Sequence, residues 1–446
     1  MIRKLVCGAG ALAASMLVTT AALAQDAAAA APPTADFGNN AWMMTSTILV
    51  LMMILPGLAL FYGGLARSKN MLSVMTQIGA VTALTMLIWV MWGYTEAFSD
   101  PMSGAMGGFL GNFDKLFLAG VTPDSTAATF TDDVISEYVF ICFQMTFAAI
   151  TVALVLGSVV ERMKFSAVMV FAIVWLTLVY FPIAHMVWGA GGYFLGLGAL
   201  DFAGGTVVHI NSGVSALVAC LILGKRMGYP SEPMPPHSLT LTMVGTGLLW
   251  VGWFGFNAGS ELEADGTAGL AMINTFVATA SAGIFWMVTE RVMGQKGSAL
   301  GFCSGIVAGL VAVTPAAGNS GPFGAIVLGA VAAIICFFAV SKLKPALGYD
   351  DALDTFGIHG VGGMIGAIGT GIVYQPVFGG PGDGSTPMGA QVLIQLETVV
   401  ATIAIAAIGT AIAIYVAKAL TGLRVSQDVE LEGLDIGEHG EHAYHS

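Results

Sequence analysis

Eleven runs of about 20 predominantly apolar residues recur along this chain, each long enough to cross a hydrocarbon core about 30 Å thick as a helix. They lie near residues 41–66, 71–96, 135–160, 165–187, 205–224, 238–258, 268–289, 298–316, 322–341, 357–377 and 392–419. Backbone in lipid must satisfy its own hydrogen bonds, so the pattern predicts an all-α membrane protein and excludes a soluble globular domain. Composition agrees: 56% of the 446 residues are hydrophobic and 9% carry charge, against about 25% charged in soluble domains.

The first 24 residues read as a secretory signal peptide: Arg3 and Lys4, an apolar run from Leu5 to Val18, and Ala22-Leu23-Ala24 before Gln25 as a small-residue cleavage site. A first membrane span is the competing reading, but the run is short and an Ala/Pro-rich stretch follows. Residues 25–424 then form the transmembrane domain and 425–446 a short acidic tail. Cys7 belongs to the signal, and Cys142, Cys220, Cys303 and Cys336 fall in apolar runs. They give no disulfide framework, metal spacing or cofactor pattern.

Threading the eleven spans from an outside N-terminus puts Arg67, Lys69, Arg162, Lys164, Lys225, Arg226, Arg291, Lys296, Lys342, Lys344, Lys418 and Arg424 on one face. These are 12 of the 13 basic residues after the signal; Lys115 is the exception. Cytoplasmic loops collect Lys and Arg, so this face and the tail are expected in the cytoplasm of a bacterium, beneath its inner membrane, with the mature N-terminus periplasmic. The formal net charge of −12 says little beside this segregation.

An odd number of spans permits two five-helix halves of opposite topology plus one extra helix, a plan common in transporters. Asp201 precedes His209 by eight residues at the start of the fifth span, and Asp351 precedes His359 by eight at the start of the tenth. Entering from opposite faces, the two histidines are expected to meet near mid-depth, where a neighbouring pair can share a proton. An intramembrane histidine is costly without a partner or a cavity, which makes both functional candidates. The alternatives are two unrelated histidines bonded to backbone carbonyls, or a metal site, for which no third ligand is obvious. Eight residues turn a helix by about 800°, so each aspartate faces away from its histidine and is expected to cap its own helix. An indirect electrostatic role in favouring a cation stays open.

Phe143 and Phe147 share one face of the third span, Trp188 ends the fourth, and Phe256 and Ser260 lie together at the outer end of the sixth. Aromatic faces can hold a cation that has shed water. Ordinary helix packing and an interfacial tryptophan belt would produce the same spacing.

Phe143, Phe147, Phe256, Ser260 and both histidines sit in stretches that resemble the ammonium transporter (Amt/Mep/Rh) family, bacterial Amt-type: "FYGGLARSKN" at 61–70, "FQMTFAAIT" at 143–151, "DFAGGTVVHINSG" at 201–213, "GWFGFNAGS" at 252–260 and "DTFGIHGVGG" at 354–363. The resemblance implies a homotrimer with an apolar pore in each subunit, conducting ammonium or ammonia, with methylammonium as an analogue. It implies an outer ammonium site at Phe147, Trp188 and Ser260 with Phe143 beside it. It also implies a phenyl gate at Phe147 and Phe256, paired pore histidines at His209 and His359, and a structural, substrate-stabilising Asp201 below the outer site. Potassium matches ammonium in size but cannot lose a proton, so an apolar pore behind a cation site separates the two. The tail, with its "EGLDxxxHGE" run, resembles family tails where a cytoplasmic PII-type signal protein docks. The rival readings are an ammonium sensor with little flux, a membrane enzyme built on the histidines and aspartates, and a gas or water pore.

Overall fold

The computed structural model describes residues 33–444, and the expected signal segment lies outside them. Among the described residues, eleven helices are long and apolar enough to cross a membrane, making this a multi-pass membrane protein: α1 (Phe37–Leu65), α2 (Ser68–Phe98), α3 (Glu137–Leu156), α4 (Phe165–Leu197), α5 (Gly205–Leu223), α6 (Leu239–Glu261), α7 (Gly266–Val292), α8 (Ala299–Ala316), α9 (Pro322–Leu347), α10 (Phe356–Val373) and α11 (Met388–Thr421). Polar caps set several starts: Asp36, Ser238, Asp265 and Ser298 each accept a bond from an amide in the first turn of α1, α6, α7 and α8.

Two boundaries differ from the apolar runs for visible reasons. The helix of α3 ends at Leu156, four residues before its run does. A Cβ at Gly157 would lie 2.4 Å from Thr355 Oγ1 and 2.7 Å from the Tyr62 ring, and Glu161 then reverses the chain at φ 72°. In α4 the regular helix closes at Trp188, bends through Gly189–Gly192 and resumes at Tyr193.

The two halves correspond. Wide turns, with bonds reaching one residue further than in an α-helix, occur in α4 (Leu176–Tyr180) and α9 (Ala339–Leu343). They recur at the starts of α5 (Gly205–Ile210) and α10 (Phe356–Gly360), where they carry His209 and His359. The α5 and α10 backbones almost touch: a Cβ on Gly213 would lie 2.2 Å from Gly360 N, and one on Gly363 would lie 3.0 Å from Gly205 O. Only glycine permits that approach, and it brings the two histidine turns together.

The face rich in Lys and Arg is closed by a buried ion network and by the tail. Arg226 pairs with Asp350 at 2.7 Å and Glu161 at 3.0 Å, while Arg67 also holds Glu161 at 2.8 Å. Burial pushes the Glu161 and Asp350 carboxyls up, but the arginines, Arg226 foremost, outweigh it and hold both below the usual carboxylate range. The tail folds into α12 (Gln427–Glu432) and α13 (Leu434–His439) against this network. Asp435 accepts from Ser73 N in the first turn of the regular part of α2 (2.7 Å) and Glu438 from Phe165 N at the start of α4 (2.8 Å). Glu430 accepts from Met227 N (2.8 Å) and binds Arg424 bidentately. On the opposite face a short hairpin, β1 (Thr126–Ala128) with β2 (Val134–Ser136), leads into α3. Lys115, the basic residue that breaks the charge pattern, is neutralised there by Glu137.

Candidate functional site

The ends of α3, α4 and α6 frame a depression of about 40 Å³ on the face opposite the basic one, lined by Gln144, Phe147, Trp188, Phe202, Ser260 and Leu262. That is room for about one water-sized molecule. Trp188 is fixed by its Nε1–H, which donates to Asp201 O at 2.8 Å, and stands edge-on to Phe147 with centroids 5.8 Å apart. The Ser260 hydroxyl donates to Phe256 O at 2.8 Å, which leaves its oxygen free to accept from a guest.

The floor is a pair of phenyl rings, Phe147 and Phe256, stacked 4.2 Å apart at 18°. Phe143 corrects the sequence-based expectation: it is fully buried behind Phe147, with centroids 4.9 Å apart, and does not line the depression. Asp201 does not line it either. Its carboxylate accepts from Gly204 N (2.8 Å), Gly205 N (2.5 Å), Thr206 N (2.9 Å), Val207 N (3.1 Å) and the Thr206 hydroxyl, all at the start of α5. Its direct contribution to the depression is the backbone carbonyl that holds Trp188.

Beneath the phenyl pair the His209 ring lies 6.0 Å from Phe256 and stacks on Trp253 at 5.4 Å. His209 Nδ1 and His359 Nδ1 are 3.3 Å apart, so one donates while the other accepts. His209 Nε2 is buried and has no hydrogen-bond partner among the described residues. His359 then borders a cavity of about 420 Å³, whose inner walls include Phe61, Tyr62, Trp286 and Phe337 and whose rim carries Arg226, Lys344 and Asp354.

Asp351 is the α10 counterpart of Asp201 but is less well served. One oxygen accepts from Phe356 N at 2.7 Å, and the other has no partner among the described residues. Burial pushes this carboxyl up to about 6.

Sequence reasoning missed Trp253, Gln144, Phe202 and Leu262. Two of these carried a signal: Trp253 lies one turn before Phe256, and Gln144 one turn before Phe147, each on its partner's face. Leu262 lacked one, because its placement depends on a left-handed turn at φ 62°.

The arrangement is a one-molecule aromatic depression, a closed ring stack, a histidine pair that can relay a proton, and an inner cavity. A model of the Ammonium Transporter Family matches residues 41–444. An ammonium transporter of Aquifex aeolicus (strain VF5) is 48% identical over 92% of this chain and 94% of its own length. Among solved structures, Mep2 of Saccharomyces cerevisiae superposes with a TM-score of 0.78 at 36% identity, covering 89% of each chain. A protein described as a sensor Amt protein superposes at 0.82 with 28% identity, over 90% of this chain and 98% of that one. From the family match and the identity to these relatives, this chain belongs to the ammonium transporter family.

Proposed function

We propose that this transport protein, which is not an enzyme, takes ammonium at the Trp188–Phe147–Ser260 depression, where the ion gives up one proton either to the water outside or to the His209–His359 pair for relay inward. Ammonia then passes the phenyl pair, and His209 and His359 line its way to the inner cavity. The observation that carries this reading is the closed Phe147–Phe256 stack, set between a depression of about 40 Å³ and the histidine pair. A cation held there touches aromatic faces and one hydroxyl oxygen, which compensates in part for lost water. Going further as an ion would mean entering an apolar constriction, so a species able to shed its charge is favoured over potassium.

The charge segregation supports a cytoplasmic basic face and tail, in a bacterial inner membrane, with the N-terminus periplasmic. A homotrimer, and a PII-type signal protein docking on the basic face, complete the proposal by resemblance. The likeness to a sensor Amt protein favours a second reading, in which occupancy of the depression is reported through the tail with little flux.

The test is an ammonium concentration jump against potassium on proteoliposomes, reading current and lumenal pH. Ammonium-specific current or alkalinisation, altered in His209→Ala and His359→Ala, is expected. Absence of any ammonium response at full ligand occupancy would favour the sensor, and equal responses to potassium would sink both.

A further inference from the structure

The segment between α2 and the hairpin is an ordered loop that turns its apolar side chains outward. Much of its backbone is bonded to the chain itself. Met102 N donates to Leu110 O, Gly111 N to Glu96 O, Asn112 N to Asp100 O and Ala119 N to Leu116 O, all at 2.7–3.0 Å. The buried His185 staples it to α4, with ring nitrogens 3.0 Å from Ala97 O and Gly107 O. Tyr193 N donates to Gly108 O, and the Tyr193 ring stacks on Phe109 at 5.9 Å. Lys115 is cancelled by Glu137, leaving Asp100, Asp114 and Asp124 as the exposed charges.

Against that polar economy, Met106, Phe109, Phe113, Leu116 and Phe117 are all exposed, Phe117 by 68%. Phe117 and Leu118 hold consecutive left-handed conformations, φ 53° and 58°, which residues with a Cβ avoid. A loop built this rigidly to present apolar groups implies something that covers them.

Continuity with the lipid-facing surface identifies the cover. Exposed Leu87, Val90 and Met91 run up α2 toward the loop, and exposed Ile173 and Leu178 run up α4 toward Tyr193. The 31 residues of α2 span about 46 Å, so its ends stand roughly 8 Å beyond a core about 30 Å thick, at headgroup depth. Aromatic residues over a largely self-bonded backbone suit that layer, and three exposed aspartates, Asp100, Asp114 and Asp124, are tolerated in its polar part.

We propose that the Met106–Phe117 loop is an interfacial membrane anchor that seats in the headgroup and upper acyl region of the leaflet on the face opposite the basic one. It fixes the depth of the adjoining ends of α2 and α4, from which Trp188 projects.

The test uses the full chain with Cys7→Ser and Cys142→Ser, carrying Phe117→Cys labelled with a polarity-sensitive fluorophore, in phosphatidylethanolamine/phosphatidylglycerol vesicles. Quenching by a lipid bearing a nitroxide near its headgroup is compared with quenching by aqueous iodide, using Leu87→Cys as the bilayer reference and Thr122→Cys as the aqueous one. A lipid-to-iodide ratio within about twofold of the Leu87 value is expected. A ratio matching Thr122 overturns the proposal. Protection from both quenchers also overturns it, because a second copy or another protein then covers the loop. Phe113→Cys repeats the measurement should the Phe117 variant fail to fold.

Discussion

Exchanging each twin aspartate for asparagine separates two caps that the sequence makes look equivalent. In Asp201→Asn one acceptor oxygen becomes an NH2. On one oxygen Asp201 receives Gly204 N and Gly205 N; on the other it receives Thr206 N, Val207 N and the Thr206 hydroxyl. Whichever oxygen is replaced, two buried amides then face a donor. Each buried orphan costs about 1–3 kcal/mol, so the loss is about 2–6 kcal/mol, a large share of a marginal stability. Asp351→Asn differs because one of its oxygens has no partner among the described residues. The NH2 can take that side while the remaining oxygen keeps Phe356 N, and the expected loss stays under about 1 kcal/mol. Detergent-solubilised protein is heated and its monodisperse fraction followed by size-exclusion. The apparent midpoint of Asp351→Asn should stay within about 4 °C of wild type, with Asp201→Asn clearly lower. Equal drops, or a larger drop for Asp351→Asn, would refute the cap assignment.

The folded Asp351 carboxyl binds its proton more tightly than the unfolded one, with a value of about 6 against 3.8, so its contribution to stability falls as pH rises between those values. Midpoints at about pH 4 and 7 should therefore show wild type gaining on Asp351→Asn at the acid end. Glu161 has the opposite sign: its depressed value gives stability above the ordinary carboxylate range that is lost as pH falls through the folded one. Glu161→Gln leaves Arg67 and Arg226 short of a buried partner and should cost about 3–5 kcal/mol in the same assay. Trp188→Leu removes a cation–π face worth about 0.5–2 kcal/mol; the half-saturating ammonium concentration in proteoliposomes should rise about 2- to 30-fold, and no rise would count against the outer site. Ending the chain at Arg424 should speed hydrogen exchange at the Ser73 and Phe165 amides, and unchanged exchange there would show that the tail does not cap them.

Span number, charge segregation and the meeting of His209 with His359 were legible because they rest on hydropathy, charge placement and a matched eight-residue spacing. Phe147, Trp188, Phe256 and Ser260 were singled out by their places on the spans and by resemblance, and the structure gathers them at and beneath one depression. What escaped depends on contacts across the fold. The burial of Phe143 behind Phe147 is a matter of rotation about α3 that spacing alone leaves open. The early end of α3 follows from Gly157 meeting Thr355 and Tyr62, far away in sequence. The docked tail escaped for the same reason, since its acids read as a solvated segment until Ser73, Phe165 and Met227 are placed beside them.

The two caps supplied by Asp435 and Glu438 order events in time. Asp435 lies 362 residues after Ser73, which at synthesis rates of about 5–20 residues per second is a wait of roughly 20–70 s. Until then the Ser73 amide of α2, and for the 273 residues between Phe165 and Glu438 the Phe165 amide of α4, lack these acceptors at the basic-side helix ends. A chain that stops early keeps them open for good. Completion of the polypeptide is thereby written into two hydrogen bonds on that face.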